Sequence, residues 1–199
     1  MQAGQCEGRG AHHDMSTTSR VEPLRSVISA EQIQKRVREM GRQISDDYQG
    51  KTVHVLAILE NSFMFTADLI RAMDVPLTCT FVKPRYRTQA ASGESEMLEI
   101  LFSHELDIRG KDVLLVEGLV HSGVTTEFLM SDLRARAAVS VKLATLLDRQ
   151  SARRVQLQPD YFGFLVDEAF LVGYGLGSPE QTNRNLPYLA AASQTGPVT

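Results

Sequence analysis

The chain has 199 residues, of which 43% are hydrophobic, and a formal net charge of -3 at pH 7. This length and apolar content suit one globular domain with a full core, and the small negative charge excludes a basic field for binding nucleic acid. No apolar run approaches the roughly 18 residues of a membrane span, and the N-terminus shows no signal peptide, so we predict a cytoplasmic protein that contacts no membrane. Cys6 and Cys79 are too few for a disulfide framework, and both are expected to be free thiols.

The chain is predicted to divide into one domain with two tails. Residues 1–20 are polar and rich in glycine, which predicts a disordered N-terminal tail. We assign residues 21–190 to the folded domain and residues 191–199 to a C-terminal tail. Within the domain, the first helix is predicted from Ser29 onward, where Ser29 and Gln32 form a capping-box pattern. Its buried stripe consists of Ile33, Val37, Met40 and Ile44.

A strand, a helix and a second strand are predicted next. Residues 53–59 form a short apolar run, which is typical of a buried strand, and residues 77–82 are predicted to form the following strand. Between them, Ser62 is predicted to cap a helix that ends before Pro76. The apolar residues of that helix are Phe65, Leu69 and Met73.

The segment 83–103 has the least regular pattern inside the domain, and a loop of this length is typical of a lid or a disordered connection. It carries a basic cluster around an aromatic residue, formed by Lys83, Arg85, Tyr86 and Arg87. A basic lid over a phosphate and a solvated basic surface are both consistent with this composition.

The most informative stretch is residues 113–133, VLLVEGLVHSGVTTEFLMSDL. Its apolar start is typical of a buried parallel strand, and a helical pattern begins after a Ser-Gly turn. A strand that leads through a turn into a helix directs free backbone N–H groups at the space above the strand, where an anion is stabilised. The residues that fit such a site are Ser122, Gly123, Thr125 and Thr126. The alternative is an ordinary turn that contains polar residues.

The remaining pattern predicts two more strands, at residues 139–147 and 161–166, and then a tight glycine loop at Gly173, Gly175 and Gly177. Strands and helices therefore alternate along most of the chain. This alternation predicts an α/β fold with a parallel sheet flanked by helices, and with ligands at the carboxyl ends of the strands.

The central stretch resembles the phosphoribosyl-diphosphate (PRPP) motif of type I phosphoribosyltransferases, most of all the form V-L-I-V-E-D-I-I-D-T-G-x-T of the hypoxanthine/guanine branch. Further segments follow in the family's order: ISAEQIQKRVREMGRQISDDY, NSFMFTADLI, LLDRQSARR, DYFGF, FLVGYGL and RNLPY. The resemblance implies the type I phosphoribosyltransferase fold, with a small hood and a mobile loop beside the parallel sheet. It also implies a reaction in which a purine nitrogen attacks the anomeric carbon of PRPP and magnesium diphosphate leaves.

The resemblance places a phosphate site on the central turn. Ser122, Gly123, Val124 and Thr125 fall on the family's T-G-x-T, which binds the 5′-phosphate. In segment 83–103, Arg85 and Tyr86 occupy the part of the family's loop that folds over bound PRPP and usually carries a Ser-Tyr pair.

The residues at the positions that hold magnesium and diphosphate in the family are different in this chain. Gly118 and Gly177 stand where the family has aspartates that help to hold magnesium, so Mg²⁺ binding, if it occurs, is expected to be weak, and no metal ligand is assigned. Glu60 and Asn61 replace the Lys-Gly of the loop that cradles diphosphate. A carboxylate at Glu60 is expected to repel the leaving group, or else to be solvated and leave the site merely weak.

His121 occupies the position of the family's catalytic aspartate, and an imidazole performs acid–base work near neutral pH. Glu117, the retained member of the family's acidic pair, lies four positions earlier and is a candidate to orient the ring. The alternative is a structural histidine after a strand.

The purine pocket is the better preserved half by resemblance. Phe170 would stack on a planar ring, and the backbone of Leu171 would meet its edge. Arg149 replaces a lysine that contacts the exocyclic oxygen of the purine, and Arg184 matches an arginine near the diphosphate. Core packing of Phe170 and a plain surface charge at Arg184 are the alternatives.

Three functions follow from this sequence. The first is a purine phosphoribosyltransferase with His121 in the aspartate role. The second is a non-catalytic nucleotide-binding protein that keeps the phosphate site and the aromatic pocket. The third is an enzyme redirected to another substrate, with His121, Glu117 and Glu60 as acid–base groups. Because the substitutions concentrate in one half of the site, we expect weak or absent salvage of hypoxanthine or guanine. The family resemblance further implies a small-molecule substrate and a homodimer or homotetramer.

Overall fold

A computed structural model describes residues 24–88, 96–102, 107–168, 170–177 and 182–191, with the backbone alone at 85–88 and 96–102. The predicted tail 1–20, which includes Cys6, and residues 192–199 lie outside the described residues. The helices are α1 (Ala30–Asp47), α2 (Phe63–Ala72) and α3 (Val124–Ala135). The strands are β1 (Arg25–Ile28), β2 (Val53–Ile58), β3 (Leu77–Thr88), β4 (Glu96–Phe102), β5 (Asp112–Val120), β6 (Ser140–Asp148), β7 (Tyr161–Leu165), β8 (Leu171–Val172) and β9 (Leu189–Ala191).

The described strands form two sheets. The larger sheet has the order β4-β3-β2-β5-β6-β7, in which β3, β2, β5, β6 and β7 are parallel and β4 is antiparallel to β3. The smaller sheet has the order β1-β9-β8 and is antiparallel. This arrangement confirms the predicted α/β fold, a parallel sheet flanked by helices with a small hood. The carboxyl ends of β2, β5 and β6 lie side by side and define the edge at which ligands bind in such folds.

Helix α1 forms as its sequence predicts. The Ser29 hydroxyl accepts a hydrogen bond from the backbone N–H of Gln32 (3.3 Å), and the Gln32 side chain accepts one from the N–H of Ser29 (2.8 Å). The whole predicted stripe is buried. A β-carbon on Gly41 would lie 2.5 Å from the carbonyl oxygen of Ala72, so this glycine lets α1 pack directly on the end of α2.

The central strands supply both faces of the core. Every residue of β2 is buried, and successive side chains point to opposite faces. Val53, Val55 and Ala57 pack in a cluster with α1 and α2, whereas Leu56 and Ile58 pack in a second cluster with α3. Burial on both faces explains why β2 is apolar at every position except His54, whose ring contacts the Thr78 hydroxyl.

The start of α2 differs from the prediction. Ser62 is the N-cap residue, but its hydroxyl donates to the carbonyl of Ile58 (2.5 Å) and makes no capping hydrogen bond. Met73 follows the last residue of the helix instead of lying on it, although its side chain is buried in the same cluster as Phe65 and Leu69. Ser62 therefore ties the loop after β2 to the strand, which fixes that loop over the sheet edge.

The prediction of an irregular loop over residues 83–103 is wrong for residues 83–88 and 96–102. They extend β3 and form β4, and the register of the two strands sets Arg85 opposite Glu99. The backbone ladder of these two strands gives the charged segment regular structure. Pro84 lies beyond the residues of β3 that pair with β2, where a missing N–H is tolerated. Residues 89–95 and Ser103 lie outside the described residues.

Cys79 on β3 is a free thiol, as predicted. Burial raises its pKa, which disfavours the reactive thiolate. Within the described ranges, no helix has the length and apolar character needed to cross a bilayer.

Candidate active site

The loops that follow three neighbouring parallel strands bring most of the predicted site residues to one edge of the sheet. Residues 59–62 follow β2, residues 121–123 follow β5, and the segment beginning at Arg149 follows β6. Strand β5 is paired with β2 on one side and with β6 on the other, so its loop lies between the other two.

The turn after β5 has the geometry expected of an anion site. Gly123 has φ of 77°, a left-handed conformation that favours glycine, and it is the N-cap of the twelve-residue helix α3. The backbone N–H of Arg154 donates to the carbonyl of Ser122 (2.9 Å), and the N–H of Val124 donates to the Ser122 hydroxyl (3.4 Å). The strand, the turn and the helix are therefore confirmed. Phosphate binding by Ser122, Gly123, Val124 and Thr125 stays a prediction.

Arg153 belongs to the same turn and was not singled out from the sequence. A β-carbon on Gly123 would lie 3.0 Å from Cδ and 3.2 Å from Nη1 of Arg153, so this side chain lies against the turn. Its Nη2 is paired with the buried carboxylate of Asp148, while its buried Nε and Nη1 have no partner in the described part of the chain. Unpaired buried donors beside a predicted phosphate site fit a bound anion. The available signal was the Arg-Arg pair at the end of LLDRQSARR.

Glu117, on β5, is held by α3 rather than by His121. The Thr126 hydroxyl donates to Oε2 of Glu117 (2.6 Å), and the ring of His121 contacts Arg149. Among the described residues no hydrogen bond joins Glu117 to His121, and Glu117 instead meets Thr126 on the first turn of α3. Burial raises the pKa of Glu117 to about 7, an effect that the Thr126 hydrogen bond and the charge of Arg153 partly offset.

The raised pKa of Glu117 predicts a pH-dependent stability. The folded chain holds this proton to higher pH than the unfolded chain, so the stabilisation is complete below the ordinary value of 4.5 and is lost as pH rises through about 7. Glu117→Gln keeps an acceptor for Thr126 and removes the charge. We expect it to raise the free energy of unfolding by about 1–3 kcal/mol at pH 8, and by much less at pH 5, in urea titrations.

The matched control is Glu39→Gln on α1, whose carboxylate pairs with Arg36 outside the site (3.4 Å). This variant should leave the free energy of unfolding nearly unchanged at both pH values. An equal effect of Glu117→Gln at pH 5 and pH 8 would show that Glu117 does not titrate as described.

His121, which follows β5, and Arg149, which follows β6, form a pair at the sheet edge. Nη1 of Arg149 lies 3.1 Å from Nε2 of the exposed His121. Because a guanidinium only donates, Nε2 must accept, and the ring proton of the neutral imidazole is then on Nδ1. The two residues assigned separately to proton transfer and to purine contact are thus physically linked.

The space around Gly118 is occupied by protein backbone. A β-carbon on Gly118 would lie 2.5 Å from the carbonyl oxygen of Asn61, so an aspartate does not fit here with the loop as it lies. The neighbouring Glu117 uses a carboxylate oxygen to accept from Thr126, and Gly177 supplies no carboxylate. Magnesium prefers several oxygen ligands, usually carboxylates and phosphates, and this donor set fits it poorly.

Glu60 is half exposed and is paired with two cations of the same chain, while its expected effect on a leaving group stays a prediction. Its carboxylate hydrogen-bonds to Nζ of Lys83 and lies 3.5 Å from Nη2 of Arg184. The bond to Lys83 is the main reason that the pKa of Glu60 is lowered, so it is ionised at neutral pH. Arg184 is therefore more than a surface charge, because it joins the loop after β2 to the segment that precedes β9.

Two of the predicted purine-binding residues, Phe170 and Leu171, lie at the start of β8 in the small sheet. Phe170 is 41% exposed and precedes β8, so its ring is not core packing and is free to meet a planar ligand. The side chain of Leu171 packs in the core, which leaves its backbone as the candidate contact. Arg85 and Tyr86 lie within β3, where their backbones pair with Glu99 and Leu98.

A parallel α/β sheet whose central strand leads through a glycine turn into a helix defines a class of proteins that bind phosphorylated ligands at the sheet edge. Within that class, residues 27–179 match the model of the phosphoribosyl transferase domain, and the chain belongs to the phosphoribosyltransferase family, a family of transferases.

Three relatives place the chain near the hypoxanthine/guanine branch. It is 37% identical over 165 residues to the hypoxanthine-guanine phosphoribosyltransferase of Bacillus subtilis, an alignment that covers 82% of this chain and 89% of that one. A crystal structure of a hypoxanthine-guanine phosphoribosyltransferase from Bacillus anthracis superposes with a TM-score of 0.77 and 34% identity, over 86% of this chain and 99% of that chain. A mutant hypoxanthine phosphoribosyltransferase from Trypanosoma cruzi, in a ternary substrates complex, superposes with a TM-score of 0.77 and 30% identity. The match covers 85% of this chain and 95% of that chain.

Proposed function

We propose that this protein is a phosphoribosyltransferase of the hypoxanthine/guanine type that has been redirected to a different substrate or reaction, with weak or absent conversion of hypoxanthine or guanine. The observation that carries the proposal is the packing of Asn61 on Gly118. The chain does not merely lack one acidic side chain, because backbone fills the place that the side chain would need.

The phosphate half of the site is retained. The N-terminus of α3, the left-handed Gly123 and the unpaired donors of Arg153 all favour an anion at the turn after β5. The aromatic half is retained as well, since Phe170 exposes a face to which a planar ring can stack. A ligand that combines one phosphate with a planar ring, such as a nucleoside monophosphate, satisfies both halves.

The chemistry of an enzymatic reaction would fall to His121 and Glu117. His121 presents an Nδ1–H donor while Arg149 holds its Nε2, which suits transfer of a proton to or from a ring nitrogen. Glu117 has a pKa of about 7, so it exchanges a proton near neutral pH and is placed to do so beside the phosphate turn. No step here requires a metal held by the described residues.

A second candidate function is non-catalytic nucleotide binding. The pairing of Glu60 with Lys83 and Arg184 favours it, because a carboxylate of the chain already faces two cations at the site. A regulatory protein needs the phosphate turn and the aromatic pocket but not a diphosphate leaving group.

Thermal unfolding and calorimetric titration test the proposal. Guanosine 5′-monophosphate should raise the melting temperature by about 5–10 °C at 100 times its dissociation constant, whereas PRPP with magnesium should have little effect. Tight, magnesium-dependent binding of PRPP would contradict the proposal. A panel of bases and phosphorylated substrates then separates the two functions, because an enzyme turns over and a binding protein does not.

The sequence also predicts a cytoplasmic location and a homodimer or homotetramer. Both stay predictions. Size-exclusion chromatography with light scattering measures the oligomeric state directly.

A further inference from the structure

The carboxylate of Glu60 uses both of its oxygens within the chain. Oε1 accepts from Nζ of Lys83 on β3, and Oε2 lies 3.5 Å from Nη2 of Arg184. Lys83 and Glu60 are each about half exposed, whereas the Arg184 side chain is 19% exposed. One internal anion therefore faces two cations at the edge of the sheet.

Arg184 is fixed in this position by other contacts. Its Nη1 donates to the carbonyl of Gly175 (2.5 Å) and to Oδ1 of Asn61 (3.1 Å). The carbonyl oxygen of Asn61 in turn lies 3.1 Å from where a β-carbon of Gly175 would be. The loop after β2, the glycine loop and the segment of Arg184 thus pack as one unit, and Glu60 is held on it facing Lys83.

The phosphate turn lies on the adjacent loop of the same sheet edge. Strands β2 and β5 are paired in parallel from Val53 to Ala57, so the loops that follow them are neighbours. A ligand with one phosphate at the turn has no need of Lys83 and Arg184. A ligand with a further diphosphate group would have to take these cations from Glu60, or to bind with Glu60 beside it.

We propose that Glu60 acts as an internal anion that occupies Lys83 and Arg184, so that the site selects ligands with a single phosphate over ligands with a diphosphate. This inference rests on the proposed function, because it assumes that the phosphate turn receives the single phosphate. It assigns Glu60 a role in specificity, distinct from proton transfer.

The test is calorimetric titration, in metal-free buffer, with inorganic diphosphate and with guanosine 5′-monophosphate. Glu60→Gln should bind inorganic diphosphate at least about tenfold more tightly than the unaltered protein, since it removes the negative charge that faces Lys83 and Arg184. Lys83→Met in the Glu60→Gln background should cancel that gain. Glu39→Gln, which removes a paired carboxylate on α1, should behave as the unaltered protein does.

The two ligands separate the two claims. Equal affinities of Glu60→Gln and the unaltered protein for inorganic diphosphate would overturn the role of Glu60. A failure of guanosine 5′-monophosphate to bind to the unaltered protein would count against the proposed function instead, whatever diphosphate does. Circular dichroism and melting temperatures of each variant confirm that the folded state is compared throughout.

Discussion

His121→Ala is expected to lower turnover by about 10²- to 10⁴-fold, the usual contribution of a positioned acid–base group. The reason is geometric, because His121 is exposed at the edge of the sheet. Arg149 contacts its Nε2, so Nδ1 is the ring nitrogen left to exchange a proton with the substrate. The measurement is the steady-state rate with the best substrate found in the panel, followed by chromatography of the nucleotide product. KM should change less than kcat, since His121 acts on the reacting proton.

The matched control is His121→Gln, whose side-chain oxygen still accepts from Arg149 but transfers no proton at neutral pH. It should be nearly as impaired as His121→Ala. Full activity of His121→Gln would contradict the acid–base role and assign His121 to the positioning of Arg149. Full activity of both variants would make the residue structural.

Gly118→Asp is expected to lower the free energy of unfolding by about 2–4 kcal/mol and to leave magnesium-dependent activity unrestored. The new β-carbon would meet the carbonyl oxygen of Asn61 at 2.5 Å, and the contact involves backbone rather than a flexible side chain. The carboxylate would also enter a buried position, where a charge without a partner is destabilising. Urea titration at pH 7.5 measures the loss.

Gly118→Ala separates the two contributions, because it adds the β-carbon without the charge. It should cost about 1–3 kcal/mol, less than Gly118→Asp. If Gly118→Asp were as stable as the unaltered protein and gained magnesium-dependent turnover, the loop after β2 would not occupy this space, and the account of the altered site would fail.

Local patterns explain why much of the fold was predictable. The Ser29–Gln32 capping box and the stripe of α1 depend on residues within a few positions of one another, and both are confirmed. The apolar runs of β2 and β5 follow from burial on both faces. The short strands β1 and β9 were missed because they pair with each other from opposite ends of the chain, and neither has a pattern of its own.

Strand β4 and the end of β3 were not predictable from segment 83–103, because their residues have no regular apolar pattern and only the folded chain shows their register. Ser62 has the residue type of a helix cap, but the carbonyl of Ile58 competes for its hydroxyl.

In the candidate site, too, only contacts between residues close in sequence could be predicted. The turn at Gly123 was predictable because the strand, the turn and the helix are consecutive in sequence. The pairing of Glu60 with Arg184 and the packing of Asn61 on Gly118 were not, since each joins residues that only the folded chain brings together. The same holds for Glu117, which was expected to orient His121 and instead accepts from Thr126.

The central claim is that the site no longer supports ordinary purine salvage. It is tested most directly by steady-state turnover with PRPP, magnesium and hypoxanthine or guanine, alongside the Bacillus subtilis relative under the same conditions. We expect a kcat/KM at least about 100-fold below that of the relative, the loss typical of removing one electrostatic contribution to a transition state. A value within about threefold of the relative would show that Glu60, Gly118 and His121 still assemble a working salvage site, and would contradict the account.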